Sequence, residues 1–118
     1  MCHVLIIEDD WIIAENIADI AREAGATSIA TADSQQAGID AALARPPAVI
    51  LSDVQLATGT GPLAVQAIRE QLGPMPVIFV TGTPEACVDC DYAEAILEKP
   101  VAAAEVISAF RRIAPIRS

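Results

Sequence analysis

One run of residues constrains this chain more than any other: Ala48-Val49-Ile50-Leu51-Ser52-Asp53, small and apolar residues leading directly into a carboxylate. With Val and Ile at its centre, it reads as a strand buried on both faces of a parallel sheet. Ligands of open α/β sheets bind just outside the carboxyl ends of such strands. Asp53 stands at that end, followed by a loop that closes on Gly59-Thr60-Gly61-Pro62.

The same grammar recurs along the chain. His3-Val4-Leu5-Ile6-Ile7 is a buried strand that ends in Glu8-Asp9-Asp10. A helix from about Trp11 to Ala24 follows, capped by an Asp, striped by Ile13, Ile17, Ile20 and Ala24, and ended by Gly25. Thr27 to Ala32 reads as a short strand. Asp33 or Ser34 then caps a second helix to about Ala44, which Arg45-Pro46-Pro47 stops. Pro62 suits the first turn of a third helix, with Ala64, Ile68 and Leu72 facing inward. Pro76 to Thr81 is the fourth strand. Pro84 to Tyr92 is helix-like but short and acidic. Ala95-Ile96-Leu97-Glu98 is the fifth strand, ending in Lys99-Pro100, and a last helix from about Ala102 to Ile113 buries Val106, Phe110 and Ile113. Five strands alternating with five helices predict an α/β fold with a doubly wound parallel sheet.

Length and charge narrow the class. A chain of 118 residues is expected to form one domain over residues 1–118, with a core of Ala, Val, Ile and Leu. Its apolar runs fall far short of the roughly 20 residues of a membrane span. No basic segment of signal-peptide type precedes the first strand, so a cytoplasmic location is expected. A net charge of -9 argues against nucleic acid as a direct partner.

The predicted carboxyl edge collects Glu8, Asp9 and Asp10 from the first strand, Asp53 from the third, Thr81 from the fourth and Lys99 from the fifth. Lys99 is the only lysine, and a lysine is a compact point charge suited to phosphate. Glu8, Asp9 and Asp53 with Lys99 sum to a formal charge of -2, which a hard divalent cation would neutralise. Carboxylates completed by water and phosphate oxygens describe Mg2+. A carboxylate, a hydroxyl, an ammonium and Mg2+ together point to phosphoryl transfer with Asp53 as nucleophile. Thr81 and Lys99 would stabilise charge on the transferred oxygens.

These residues resemble a response-regulator receiver domain, the CheY-like phosphoacceptor of two-component signalling. The resemblance spans essentially the whole chain: Glu8-Asp9 after the first strand, Asp53 after the third, Thr81 after the fourth, Lys99-Pro100 after the fifth. It implies phosphorylation of Asp53 by a histidine kinase or phosphotransfer protein, and an output through protein partners. It also implies Mg2+ ligation by Asp9, Asp53 and the Gln55 carbonyl, with Glu8 acting mostly through water. The amides of Gln55 and Gly82 would hold phosphoryl oxygens, and the Lys99-Pro100 bond would be cis. Phe79-Val80-Thr81-Gly82 is similar to the Phe-Ala-Thr-Gly pattern of the atypical FATGUY receivers. With no output domain in 118 residues, a stand-alone receiver, a phosphorelay shuttle or a kinase-binding regulator is expected.

Two departures stand out. The switch position three residues before the lysine is Ile96 rather than Tyr or Phe, and the span from Thr81 to Lys99 is short, so the fourth helix should be truncated or irregular. Other residues have plainer readings. Asp10 is better a helix cap than a metal ligand. Trp11 is equally a lid or helix surface, and His3 is structural. The three cysteines suggest no disulfide framework. Cys87-Val-Asp-Cys90 has redox or zinc half-site spacing, but Glu85, Asp89, Asp91 and Glu94 would push the thiol pKa up and make redox regulation a minor second function. Two rival functions are a Mg2+-dependent phosphatase with an aspartyl nucleophile and a pseudo-receiver that binds without phosphorylation. The first lacks a second Asp at Gln55 and room for a cap; the second sits poorly with the intact acids, Thr81 and Lys99.

Overall fold

The computed structural model describes residues 2–87 and 90–113. Five strands form one sheet: β1 (His3–Ile7), β2 (Ser28–Ala32), β3 (Val49–Ser52), β4 (Val77–Thr81) and β5 (Ala95–Glu98). Every neighbouring pair is parallel, and the order is β2-β1-β3-β4-β5. The chain winds outward from β1 in one direction and then, from β3, in the other. That reversal opens a crevice between the carboxyl ends of β1 and β3. Burial follows position in the sheet. β3 and β4 are buried at every residue, as continuous apolar runs in a parallel sheet require, while β5 at the edge alternates.

The helices are α1 (Trp11–Ala24), α2 (Gln35–Ala44), α3 (Gly61–Leu72) and α4 (Ala103–Ile113). Each of the first three starts on a side-chain oxygen that satisfies an otherwise orphaned amide. Asp10 accepts from the Ile12 and Ile13 amides, Ser34 from Ala37, and Thr60 from Leu63. Gly25 ends α1 at φ 121°. α1 and α4 cover one face of the sheet, where Phe110 of α4 shares a core with Ile6, Leu51 and Ile78. α2 and α3 cover the other over Leu5, Ile50, Ile68 and Phe79.

The helix expected to be truncated or irregular is reduced to a single turn, and two other expectations need correction. The stretch Pro84 to Tyr92 holds one 3-10 turn, Pro84–Ala86, that buries no residue; residues 88 and 89 lie outside the described residues. Three acids in nine residues leave too little apolar surface to seat a helix. Among the described residues there are thus four α-helices, not five. Leu72 does not face inward: it sits in the last turn of α3 and is 36% exposed. Finally, Cys87 and Cys90 form a disulfide, with Cα atoms 5.6 Å apart. Cys2 is the free, buried cysteine. The objection from acidic neighbours concerns thiolate reactivity; it says nothing about whether two cysteines on a turn can reach each other.

Candidate functional site

The sheet delivers the acids to one place. Ile7 pairs with Ser52, so the next residue of each strand, Glu8 and Asp53, emerges side by side. The Asp53 amide donates to the Ile7 carbonyl (2.8 Å), which locks that register one residue past the strand. On the far side the Lys99 amide donates to the Thr81 carbonyl (2.8 Å), bringing the fifth strand's lysine over the same crevice. The Lys99-Pro100 peptide is cis. Behind the site, α3 begins so close to β3 that a Cβ on Gly61 would run into the Asp53 carbonyl and the Ser52 hydroxyl. Only glycine fits there.

The Lys99 ammonium bridges two carboxylates, Glu8 at 2.6 Å and Asp53 at 2.9 Å. Glu8 is 4% exposed and Asp53 9%. The other Asp53 oxygen accepts from the Val54 amide (2.7 Å), so the carboxylate is held at both ends. The second Glu8 oxygen accepts from the Asp10 amide (3.1 Å). Asp9 is exposed, and its carboxylate accepts from the Ala57 amide (2.8 Å), drawing the β3–α3 loop against the pocket.

Electrostatics follow from this geometry. Burial pushes the Glu8 carboxyl up, against the lowering effect of the bonds from Lys99 and the Asp10 amide. Burial alone would lower Lys99, but its bonds to Glu8 and Asp53 outweigh that and hold it above its ordinary value. The lysine is therefore charged, and one ammonium faces three carboxylates. One oxygen from each of Glu8, Asp9 and Asp53 lies within 4.8 Å of the others. Hard oxygen donors, this close and carrying excess negative charge, fit Mg2+.

The remaining expected residues fall into groups. Thr81 is 1% exposed at the end of β4, with Gly82 exposed in open space after it. Gln55 is exposed at the start of the β3–α3 loop, bridged to Thr60 in antiparallel fashion. Asp10 caps α1 and is not drawn into the cluster. Trp11 is 73% exposed at the first turn of α1, which makes it helix surface. Ile96, opposite Phe79 on the α2/α3 face, is 40% exposed because only the 3-10 connection lies there. His3 lies at the other end of β1, bonded to Ser28 at 2.7 Å.

Two groups went unnoticed in the sequence. The Thr81 hydroxyl accepts from the Thr83 amide (3.0 Å) and lies 3.3 Å from the Thr83 hydroxyl. The Gln35 side chain accepts from the Thr60 amide (3.0 Å), and its backbone amide donates to Thr58 (3.1 Å), pinning the β3–α3 loop to α2. Threonine two residues after threonine was the available signal for the first; the second had none.

A family model described as the response regulator receiver domain matches residues 4–111. The chain belongs to this family. Among solved structures, the receiver domain of the PhyR response regulator from Erythrobacter litoralis is 30% identical, with a TM-score of 0.86 over 99% of this chain and 95% of that one. PhyR from Brucella abortus is 26% identical (TM-score 0.82) over 96% of this receiver but only 47% of its own length. The NtrX receiver domain of the same organism, at 24% identity and TM-score 0.82 over 92% and 95% of the chains, shares the fold. No curated protein matches. Among the described residues of this receiver domain, no helix is long and apolar enough to cross a membrane.

Proposed function

We propose that residues 1–118 act as one phosphoacceptor unit in which Asp53 takes a phosphoryl group from a phosphohistidine of a kinase or phosphotransfer protein. The observation that carries this reading is the Lys99 bridge between Glu8 and Asp53, which ties the ends of three strands to one carboxylate. An Asp53 oxygen attacks phosphorus, the phosphorus–nitrogen bond breaks, and the electron pair leaves with the donor imidazole. The product is a mixed carboxylic–phosphoric anhydride. Lys99, freed from half of its carboxylate pairing, neutralises the phosphoryl oxygens, and the Gln55 and Gly82 amides hold them. Asp9, Asp53, the Gln55 carbonyl and, through water, Glu8 would hold Mg2+, which supplies further charge neutralisation when bound.

The output reading rests on Thr81. Its hydroxyl is engaged by Thr83, and a phosphoryl group on Asp53 would compete for it. Losing Thr81 releases Thr83 and with it the short, acidic segment from Gly82 to Asp91, which becomes the face a protein partner distinguishes. Ile96 has no ring to swing inward, so it takes no part. The Bartonella quintana relative, 27% identical to this chain, is an anti-anti-sigma factor, PhyR. Its name supports an output through protein contacts here too. The reading is tested with acetyl phosphate, Mg2+ and intact mass. Wild type should gain one phosphoryl group and Asp53→Asn none; equal incorporation would refute the assignment.

A further inference from the structure

The Cys87–Cys90 bond lies in the β4–β5 connection, which holds no α-helix among the described residues, and the two sulfurs differ in access. Cys90 is 4% exposed within the α2/α3 core, while Cys87 is only partly buried at its margin. The two ends of the connection are also held differently. Tyr92 anchors the end nearer β5, edge-on to Phe79 (6.1 Å between centroids) and under the Arg69 guanidinium at 4.9 Å. The end nearer β4 has little. The turn Pro84–Ala86 buries no residue, and its bonds from Ala86 to Thr83 and from Cys87 to Pro84 are internal. Beyond Thr83's bond to Thr81 and the apolar packing of Ala86 and Cys87, the disulfide is its tether among the described residues.

We propose that Cys87–Cys90 is a reversible thiol–disulfide site, opened by a dithiol that attacks Cys87, whose state sets the order of the β4–β5 connection. The external thiolate bonds to the Cys87 sulfur, the Cys87–Cys90 bond breaks, and Cys90 leaves with the electron pair and takes up a proton. The second thiol of the reductant then attacks its own sulfur in the mixed disulfide, releasing Cys87, which is protonated in turn. Two electrons and two protons pass to the protein, and the dithiol leaves as its disulfide. A disulfide oxidant reverses the sequence. Attack at Cys87 follows from access. Cutting a four-residue clasp returns conformational freedom to a segment whose 3-10 turn buries no residue. Because the Thr83 amide donates to the Thr81 hydroxyl and the Lys99 amide to the Thr81 carbonyl, Thr81 links the loosened segment to the lysine of the acidic pocket.

The proposal rests on the bond and its packing, not on the phosphoacceptor reading, and its test contains no phosphodonor. The full chain is treated with dithiothreitol under native conditions, then alkylated after unfolding and weighed. The oxidised form should carry one label, on Cys2, and the reduced form three, returning to one with oxidised glutathione. Hydrogen exchange at the Ala86 and Cys87 amides should quicken about tenfold on reduction, with β1 and α1 unchanged. Cys87→Ser/Cys90→Ser should exchange like the reduced protein and ignore dithiothreitol. Cys90→Ser should react with an aromatic disulfide about tenfold faster than Cys87→Ser, since each leaves the other sulfur free. Resistance to dithiothreitol short of unfolding, equal exchange in the two states, or a change spread through β1 and α1 would each overturn the proposal.

Discussion

Lys99 decides the character of the pocket. One ammonium at 2.6 and 2.9 Å from two largely buried carboxylates leaves both poorly solvated if it is removed. Lys99→Met should therefore destabilise the fold by about 2–4 kcal/mol, because losing one partner of a buried pair strands the other. Denaturant unfolding in metal-free buffer measures this, and an unchanged midpoint would contradict it. His3 offers a pH test away from the pocket. Burial, and then the charge of Arg45, lower its pKa from 6.5, against the bond to Ser28, and its Nε2 is buried without a partner. A histidine with a depressed folded pKa binds protons less readily folded than unfolded. Its contribution to stability is therefore present above 6.5 and lost as pH falls through the lower folded value. It is the chain's one histidine, so a single NMR titration reads it. A midpoint at 6.5 or above would contradict this reading, since burial and Arg45 both disfavour the imidazolium. At this scale the sequence was informative where residues end strands. Glu8, Asp9, Asp53, Thr81 and Lys99 were legible because each follows an apolar run. The Thr81–Thr83 bond was not, since it depends on a turn whose shape no local pattern specified.

At the scale of elements, the junction of β3 and α3 is the tightest point in the site. Gly61→Ala would drive a methyl group into the Asp53 carbonyl and the Ser52 hydroxyl. Neither can withdraw: Asp53 is held by the Ile7 carbonyl through its amide, and the Ser52 hydroxyl donates to the Asp53 carbonyl at 2.8 Å. We expect a loss of about 2 kcal/mol or more by overpacking, together with displaced Asp53 resonances. Stability equal to wild type would show that the junction is looser than described. The strands and the first three helices were legible from periodicity, caps and prolines, to within a residue or two at their ends. The expected helix between β4 and β5 was readable only as a weak one. Its acids could be counted, but whether the remaining apolar residues seat a helix or a turn depends on what Phe79 and α3 leave open. The disulfide escaped for a related reason. Cysteines three apart meet only if the backbone curls between them.

For the whole molecule, a doubly wound sheet puts four strand ends at one crevice and, among the described residues, leaves the α2/α3 face of β5 without a covering α-helix. The crevice concentrates negative charge, so a divalent cation should stabilise the folded state by mass action. Millimolar Mg2+ should raise the melting temperature of wild type and have much less effect on Asp9→Asn, whereas Asp10→Asn should respond like wild type. If the two variants respond alike, Asp9 is not the ligand. The fold class was legible because strand-sized apolar runs alternate with helical stripes throughout. What the sequence left open is how the α2/α3 face ends beyond α3, a question of packing rather than pattern. The central claim is that Asp53 carries the phosphoryl group, and the most direct measurement locates it chemically. Protein treated with acetyl phosphate and Mg2+ is reduced with borohydride, which converts an aspartyl phosphate to homoserine, and its peptides are sequenced by mass spectrometry. Homoserine at position 53, with Glu8 and Asp9 unreduced, is the predicted result; a modified residue elsewhere, or none, would contradict the account.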